Sequence, residues 1–449
     1  MRAVASAVGS GTGPSVLLAA EREAPAGEYL PHIVAWNLTR RCNLRCSHCY
    51  ISAGPSETAE GELDTAACRR VIDELLAVNP APMLILSGGE PLLRDDLTEI
   101  AAYASHRGAT VVVGTNGTLL TDDRIAALKD AGVTGVAVSV DSLRPQYHDN
   151  FRRKSDALAD TKAAIERLRA HRLDFIVQTT ATKGNQAEVP VLAEWAAAQG
   201  AVAFNLYFLV PTGRGGQLTD LSADDYENLL GVLAEFERRY RGVMMVRAKC
   251  APHFIRRVYD ETPDSPLLDY QTRCPCGIQY CRITPEGTIT PCPYLPTVAG
   301  DLRTQTFAEI WNGSEVFADL RRRELGGKCG ICEYRMICGG CRARAFAATG
   351  DYLAADPSCS YEPTGERPLI ARREVTYGAA AAPGLAWSDA ARERLGRIPS
   401  FVRGIVVKRI EDYARARGLS SITPEMLSEI RGAMPIDFSR RKPFFVRDD

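Results

Sequence analysis

Three cysteines, Cys42-x3-Cys46-x2-Cys49, sit directly after the apolar run Ile33 to Leu38. Three thiolates on one loop can hold three irons of a [4Fe–4S] cube and leave the fourth iron open. A structural zinc is the other reading, and it wants a fourth protein ligand. His48 adjoins Cys49, so serving as that ligand would strain a tetrahedral site. Nine more cysteines fall between Cys274 and Cys359, and only Cys68 and Cys250 stand alone among the fourteen. Clustered thiols without a secretory context point to metal rather than disulfides. Zinc knuckles and iron–sulfur clusters both use the Cys-x2-Cys pairs found there. Cys68 lies on a helical pattern with apolar neighbours and reads as a buried small hydrophobe.

Further polar residues follow strand-like runs. Gly88-Gly89-Glu90-Pro91 combines glycines that permit close backbone approach with a carboxylate that can accept from an ammonium group. Asn116, Ser139 and Arg152 follow later runs, where turn and cap roles compete with ligand binding.

Those motifs need a scaffold, and the residues between them supply one. Apolar runs at 33–38, 83–86, 110–113, 135–140, 175–179 and 203–207 alternate with helical patterns at 65–78, 95–107, 122–131, 157–172 and 189–199. Six near-continuous apolar strands joined by five helices predict a parallel α/β sheet covered by helices. Such sheets place their chemistry at the carboxyl ends of the strands.

The chain of 449 residues divides on composition into a loose arm (1–30), the α/β unit (31–215), a connector with one helix over 223–241 (216–273), the Cys-rich region (274–365), a linker (366–384) and a small helical domain (385–449). Lys plus Arg number 54 against 55 Asp plus Glu, which argues against a nucleic-acid binder. No run reaches the roughly 20 apolar residues of a membrane span, and the first twenty residues are unlike a signal peptide. A cytoplasmic protein is expected.

The triplet after its strand, with Gly88 to Pro91 one βα unit later, resembles the signature of the radical SAM superfamily. The resemblance implies a partial (β/α)6 TIM-like barrel. It also implies S-adenosylmethionine on the open iron of the Cys42, Cys46, Cys49 cluster, cleaved reductively to a 5′-deoxyadenosyl radical. Gly88, Gly89, Glu90 and Pro91 would meet the methionine amino group, Ser139 the ribose or carboxylate, and Arg152 the carboxylate, with Asn116 also facing the cofactor. Cys329-x2-Cys332-x5-Cys338-x2-Cys341 and Cys359, preceded by Gly287-x4-Cys292, resemble the SPASM extension of that superfamily, although its usual last spacing is three residues. The likeness implies two auxiliary [4Fe–4S] clusters, three in all. Cys276 (or Cys274), Cys281, Cys292 and Cys341 would hold one, and Cys329, Cys332, Cys338 and Cys359 the other. An electron donor such as flavodoxin or ferredoxin is implied as well.

The stretches Cys281 to Tyr294 and Cys338 to Ala345 look like the tetrapyrrole branch of SPASM enzymes, specifically the haem synthases of the siroheme-dependent pathway. Residues 387–425 resemble the small domain that ends the B subunit of light-independent protochlorophyllide reductase. These likenesses imply oxidative decarboxylation of porphyrin propionates, with Arg214, Arg342, Arg344, Arg397 and Arg403 as candidate carboxylate partners. The rival reading is a maturase acting on a ribosomally made peptide.

Overall fold

A computed structural model describes residues 29–218, 221–263, 265–269, 273–370, 384–396, 398 and 400–433. The six apolar runs form β1 (Ile33–Asn37), β2 (Met83–Ser87), β3 (Thr110–Thr115), β4 (Val133–Ser139), β5 (Phe175–Ala181) and β6 (Ala203–Phe208). Each pairs in parallel with the next. Between them run α1 (Thr65–Val78), α2 (Leu97–His106), α3 (Asp122–Asp130), α4 (Pro145–Arg152), α5 (Ala157–Ala170) and α6 (Val189–Ala198). The short α4 carries no apolar stripe that a sequence pattern would reveal. It starts on Pro145, whose fixed φ suits the first helical turn. The helices pack one apolar stripe onto the outer sheet face, building a continuous core that includes Val71, Ile100, Val113 and Ile165.

The expected connector holds more than one helix. After α7 (Ala223–Tyr240), capped by a reciprocal Ser222–Asp225 box, comes a seventh parallel strand, β7 (Met245–Lys249), paired with β6. Arg247 and Lys249 occupy alternate positions of this strand, so it lacks the apolar run that marks the others. Helix α8 (Phe254–Glu261) follows. On the opposite edge, β8 (Tyr280–Ile283) joins β1 in parallel, and β9 (Thr288–Thr290) and β10 (Gly300–Asp301) continue antiparallel. The Cys-rich region also carries α9 (Phe307–Gly313), α10 (Glu315–Arg322), α11 (Gly327–Ile331) and α12 (Arg342–Thr349).

The C-terminal unit has its own small core. Helices α13 (Asp389–Gly396), α14 (Ser400–Ala416) and α15 (Pro424–Ala433), tied by β11 (Ala386–Trp387) and β12 (Ser421–Ile422), enclose Trp387, Leu395, Ile410 and Leu427. The indole Nε1 of Trp387 donates to Glu411 Oε1 over 3.2 Å. This unit docks at the amino ends of the strands: Ser400 Oγ meets His32 Nδ1 and Asn79 Nδ2, each at 2.9 Å, and Ser400 N donates to Ala81 O over 3.0 Å. Trp387→Ala removes the largest side chain of that core, a change worth about 3–5 kcal/mol. Limited proteolysis of this variant is expected to cut within 384–433 while the α/β unit stays intact. The arm over 1–28, the linker over 371–383 and Arg397 lie outside the described residues. Among the described residues no helix is long and apolar enough to cross a membrane.

Candidate active site

The inward faces of β1 to β7 surround a cavity of about 1050 Å³. Its floor combines apolar residues such as Ile33, Met83 and Ile85 of the sheet and Val402 and Val406 of α14 with the charged Arg241, Arg394 and Arg409. Its upper end, at the carboxyl ends of the strands, is polar. The C-terminal unit thus closes the lower mouth of the sheet.

Cys42, Cys46 and Cys49 line the upper end, and all fourteen cysteines are free thiols. Donors already point at these sulfurs: Leu44 N lies 3.4 Å and Asn116 Nδ2 4.0 Å from Cys42 Sγ, and Arg152 Nη1 lies 3.7 Å from Cys46 Sγ. Burial pushes the Cys42 thiol up to about 12, and it raises Cys46 despite the opposing Arg152 charge. Protonated, these thiols would gain little from such donors. Bound to iron they are deprotonated outright, and N–H donors then stabilise the sulfur charge. The three residues therefore fit a cluster. Among the described residues, no group of three or more His, Cys, Asp or Glu meets the geometry of a single-ion site.

Arg152 lines the cavity and pairs with the fully buried Asp141 at 2.6 Å. Burial alone would raise the Asp141 carboxyl, but Arg152, His48 and His148 hold it below the usual range. One guanidinium thereby joins the cluster loop to the end of β4.

Gly88 and Gly89 also line the cavity. Their backbones pass so close to the loop after β1 that an added Cβ would sit 2.6 Å from Thr39 O at Gly88 and 2.3 Å from Arg41 O at Gly89. Glu90 departs from expectation. Its carboxylate turns away from the cavity and accepts from Thr115 Oγ1 (2.8 and 2.9 Å), Asn116 N (2.9 Å) and Leu92 N (3.1 Å). It pins the turn to the end of β3 instead of offering an oxygen to a ligand. Pro91 is buried behind it as the first residue of a short 3-10 turn. Gly89→Ala should cost about 1–3 kcal/mol through overpacking against backbone. The expected outcome is a Tm several degrees lower, by calorimetry, with the thiols around Cys42 more accessible to alkylation.

The remaining wall was not legible from motifs. Register carries Ser139 to Gln178, Gln178 to Asn205 and Asn205 to Arg247, a polar row across four strands. One step above, Tyr207 pairs with Lys249. Among the described residues neither Arg247 nor Lys249 has a carboxylate partner. Burial, reinforced by Arg247, pushes the Lys249 ammonium down to about 7. Tyr50, Tyr207, Tyr280 and Tyr294 gather around the same space, with Tyr50 and Tyr294 rings 5.1 Å apart. The signal available beforehand was the alternation of Arg247 and Lys249 in an otherwise strand-like pentapeptide.

The second cysteine group divides in two. Cys329, Cys332, Cys338 and Cys359 border a small separate cavity, where Asp356 N approaches Cys329 Sγ at 3.4 Å and Gly340 N approaches Cys338 Sγ at 3.5 Å. Cys276, Cys292 and Cys341 line the large cavity, but Cys281 does not. It is enclosed in the core beneath the helices. The short spacing between Cys338 and Cys341 uses two consecutive left-handed glycines, Gly339 (φ +71°) and Gly340 (φ +66°). That turn sends the two sulfurs to different cavities, a path non-glycine residues resist.

The described arginines expected at a substrate are engaged by groups of the protein itself, although Arg214 also lines the cavity. Arg214 donates to Cys46 O (2.9 Å) and Ala53 O (2.7 Å), and Arg342 to Tyr352 O (3.0 Å) and Ala354 O (2.8 Å). Arg403 donates to Ile398 O and Gly396 O, both at 2.9 Å. Arg344 pairs with Asp356 at 3.3 Å, with both side chains buried.

Comparison with known proteins gives concordant matches. Residues 36–196 match the radical SAM superfamily, 274–334 an iron–sulfur cluster-binding domain of SPASM type, and 387–431 the proto-chlorophyllide reductase 57 kD subunit. An AdoMet-dependent heme synthase of Methanosarcina barkeri is 43% identical over 343 residues, spanning 74% of this chain and 97% of that protein. The mycofactocin maturase MftC of Mycolicibacterium smegmatis is 28% identical over 336 residues, spanning 73% and 82% respectively. Among solved structures, Streptococcus suis SuiB superposes with a TM-score of 0.60 at 14% identity, over 74% of this chain and 78% of that one. That last likeness concerns the fold alone.

Proposed function

The chain belongs to the radical SAM superfamily, and from that premise we propose that it oxidatively decarboxylates propionate side chains of an iron porphyrin to vinyl groups. When bound, a [4Fe–4S] cluster with S-adenosylmethionine supplies a 5′-deoxyadenosyl radical, and we assign Cys42, Cys46 and Cys49 as the residues that hold it. Gly88 and Gly89 give the cofactor's polar end close access to backbone, and Asn116, Ser139 and Arg152 surround it.

The observation that carries the substrate reading is the pair Arg247 and Lys249, without a carboxylate partner among the described residues, facing a large chamber where four tyrosines and many aliphatic side chains gather. Cations left without partners in a protein interior are costly unless a ligand supplies the anion. A flat macrocycle carrying carboxylates matches both properties: its ring meets tyrosines and aliphatic side chains, and its propionates meet the guanidinium and ammonium. The heme synthase relative at 43% identity supports the same substrate class. The chemistry balances as loss of one hydrogen atom from the propionate β-carbon, followed by release of CO₂ and one electron, leaving the vinyl double bond. That electron needs an acceptor, and the Cys-rich wall opens on the same cavity as the arginine–lysine pair. An external small flavin or iron–sulfur protein is the electron donor we expect, in the cytoplasm, where fourteen thiols stay reduced.

Anaerobic incubation of reconstituted enzyme with iron-coproporphyrin III, S-adenosylmethionine and reductant is the test. Stepwise loss of two CO₂ per porphyrin supports the reading. Unchanged porphyrin beside abundant 5′-deoxyadenosine would reject the substrate while sparing the radical chemistry, and would reopen the peptide-maturase reading.

A further inference from the structure

Five cysteines from four chain segments meet on one wall of the large cavity. Cys274 Sγ lies 3.3 Å from Cys276 Sγ, and Cys276, Cys292 and Cys341 form one buried cluster with Cys250 and Cys274 packed against it. All five line the cavity. Cys281, although near in sequence, is directed elsewhere. It pairs in register with Val34 of β1, and paired residues of neighbouring strands share a face. Val34 and Cys281 are both fully buried in the core under the helices, whereas Tyr280, one residue earlier, lines the cavity.

Cys250 reaches the wall by an unusual route. Alternation along β7 puts Arg247 and Lys249 inward, so an extended continuation would send residue 250 outward with Val246 and Ala248. Instead Cys250 takes φ +60°, a left-handed conformation that a non-glycine residue adopts only when its surroundings impose it. The result is a thiol turned back into the cavity against Cys341.

We infer that Cys250, and not Cys281, is the fourth ligand of the auxiliary iron–sulfur site whose other three are Cys292, Cys341 and one thiol of the Cys274–Cys276 pair. The inference rests on the reading that this region binds a cluster at all, and the experiment separates the two. The parent is a full-length variant with Cys42, Cys46 and Cys49 all changed to Ala, reconstituted anaerobically and assayed for iron, sulfide and the electron paramagnetic resonance of its reduced state. Two occupied auxiliary sites give about eight irons per chain. Adding Cys250→Ala is expected to lower this to about four, and adding Cys281→Ala to leave it at about eight. Cys250→Asp, which restores an anionic ligand, is expected to recover iron with shifted g values. Eight irons and an unchanged spectrum in Cys250→Ala would overturn the assignment, as would equal iron loss in Cys281→Ala. Loss of all iron in both Cys250 variants also counts against it, because it signals collapse rather than one missing ligand. A parent without iron removes the underlying cluster reading instead.

Discussion

Porphyrin turnover falls by roughly two orders of magnitude or more in the Arg247→Met, Lys249→Met double variant, while 5′-deoxyadenosine still forms. The magnitude follows from two charge-assisted contacts, each worth about 1.5–3 kcal/mol, with every 1.4 kcal/mol a factor of ten. Methionine keeps the length and apolar stem of both side chains, so the chamber retains its shape. Neither residue touches the cysteine triplet or the glycine turn, which lie on the loops after β1 and β2. Radical generation therefore continues uncoupled from substrate. The measurement is the ratio of vinyl product to 5′-deoxyadenosine, read by liquid chromatography, together with porphyrin Kd from Soret titration. A double variant that keeps its coupling ratio and its affinity would remove these two cations from the binding site. Stability should not fall, because the wild type leaves the two charges uncompensated, and relieving them makes a small rise in Tm the expected direction.

The same two cations explain why part of the architecture was hidden in the sequence. Strands β1 to β6 announce themselves because parallel strands are covered on both faces and read as unbroken apolar runs. In β7 the inward face carries Arg247 and Lys249, so Met-Val-Arg-Ala-Lys has only three of five apolar residues and merges into a connector. The cysteine triplet and the glycine turn were legible for the opposite reason: their chemistry depends on short-range spacing, which a sequence displays directly. Glu90 shows the limit of that approach. Its carboxylate is chemically suited to an ammonium, yet its oxygens are taken up by Thr115, Asn116 and Leu92. Whether a side chain faces a ligand or braces a turn depends on rotation about a bond that spacing does not encode. Cys281 and Cys250 are the same problem in mirror image. A strand buried on both faces gives no clue to which residues point inward, and a lone thiol gives none that its backbone will turn left-handed.

Arg344 is where misreading a cation has the largest energetic consequence. Its place three residues after Cys341 suggests a substrate contact, but the structure encloses it against Asp356, with its guanidinium 4.7 Å above the Tyr226 ring. Burial alone would raise the Asp356 carboxyl, yet Arg344 and His253 hold it below the ordinary range. Asp356 in turn braces both cysteine sets, because its Oδ2 accepts from Cys341 N at 2.7 Å and its own N–H points at Cys329 Sγ. Arg344→Met leaves that carboxylate buried with only His253 Nδ1, 4.0 Å away, beside it, a loss of about 3–5 kcal/mol. Asp356→Asn strands the guanidinium at a similar cost. The double variant should be less destabilised than the sum of the two, since an apolar and a neutral residue can share the site without an uncompensated charge. Anaerobic denaturant melts of the four proteins give the coupling energy directly. In both single variants iron should fall at the two auxiliary sites together, while porphyrin affinity of the surviving folded fraction stays near wild type. Additive melts, or a Kd that collapses while stability holds, would return Arg344 to the substrate.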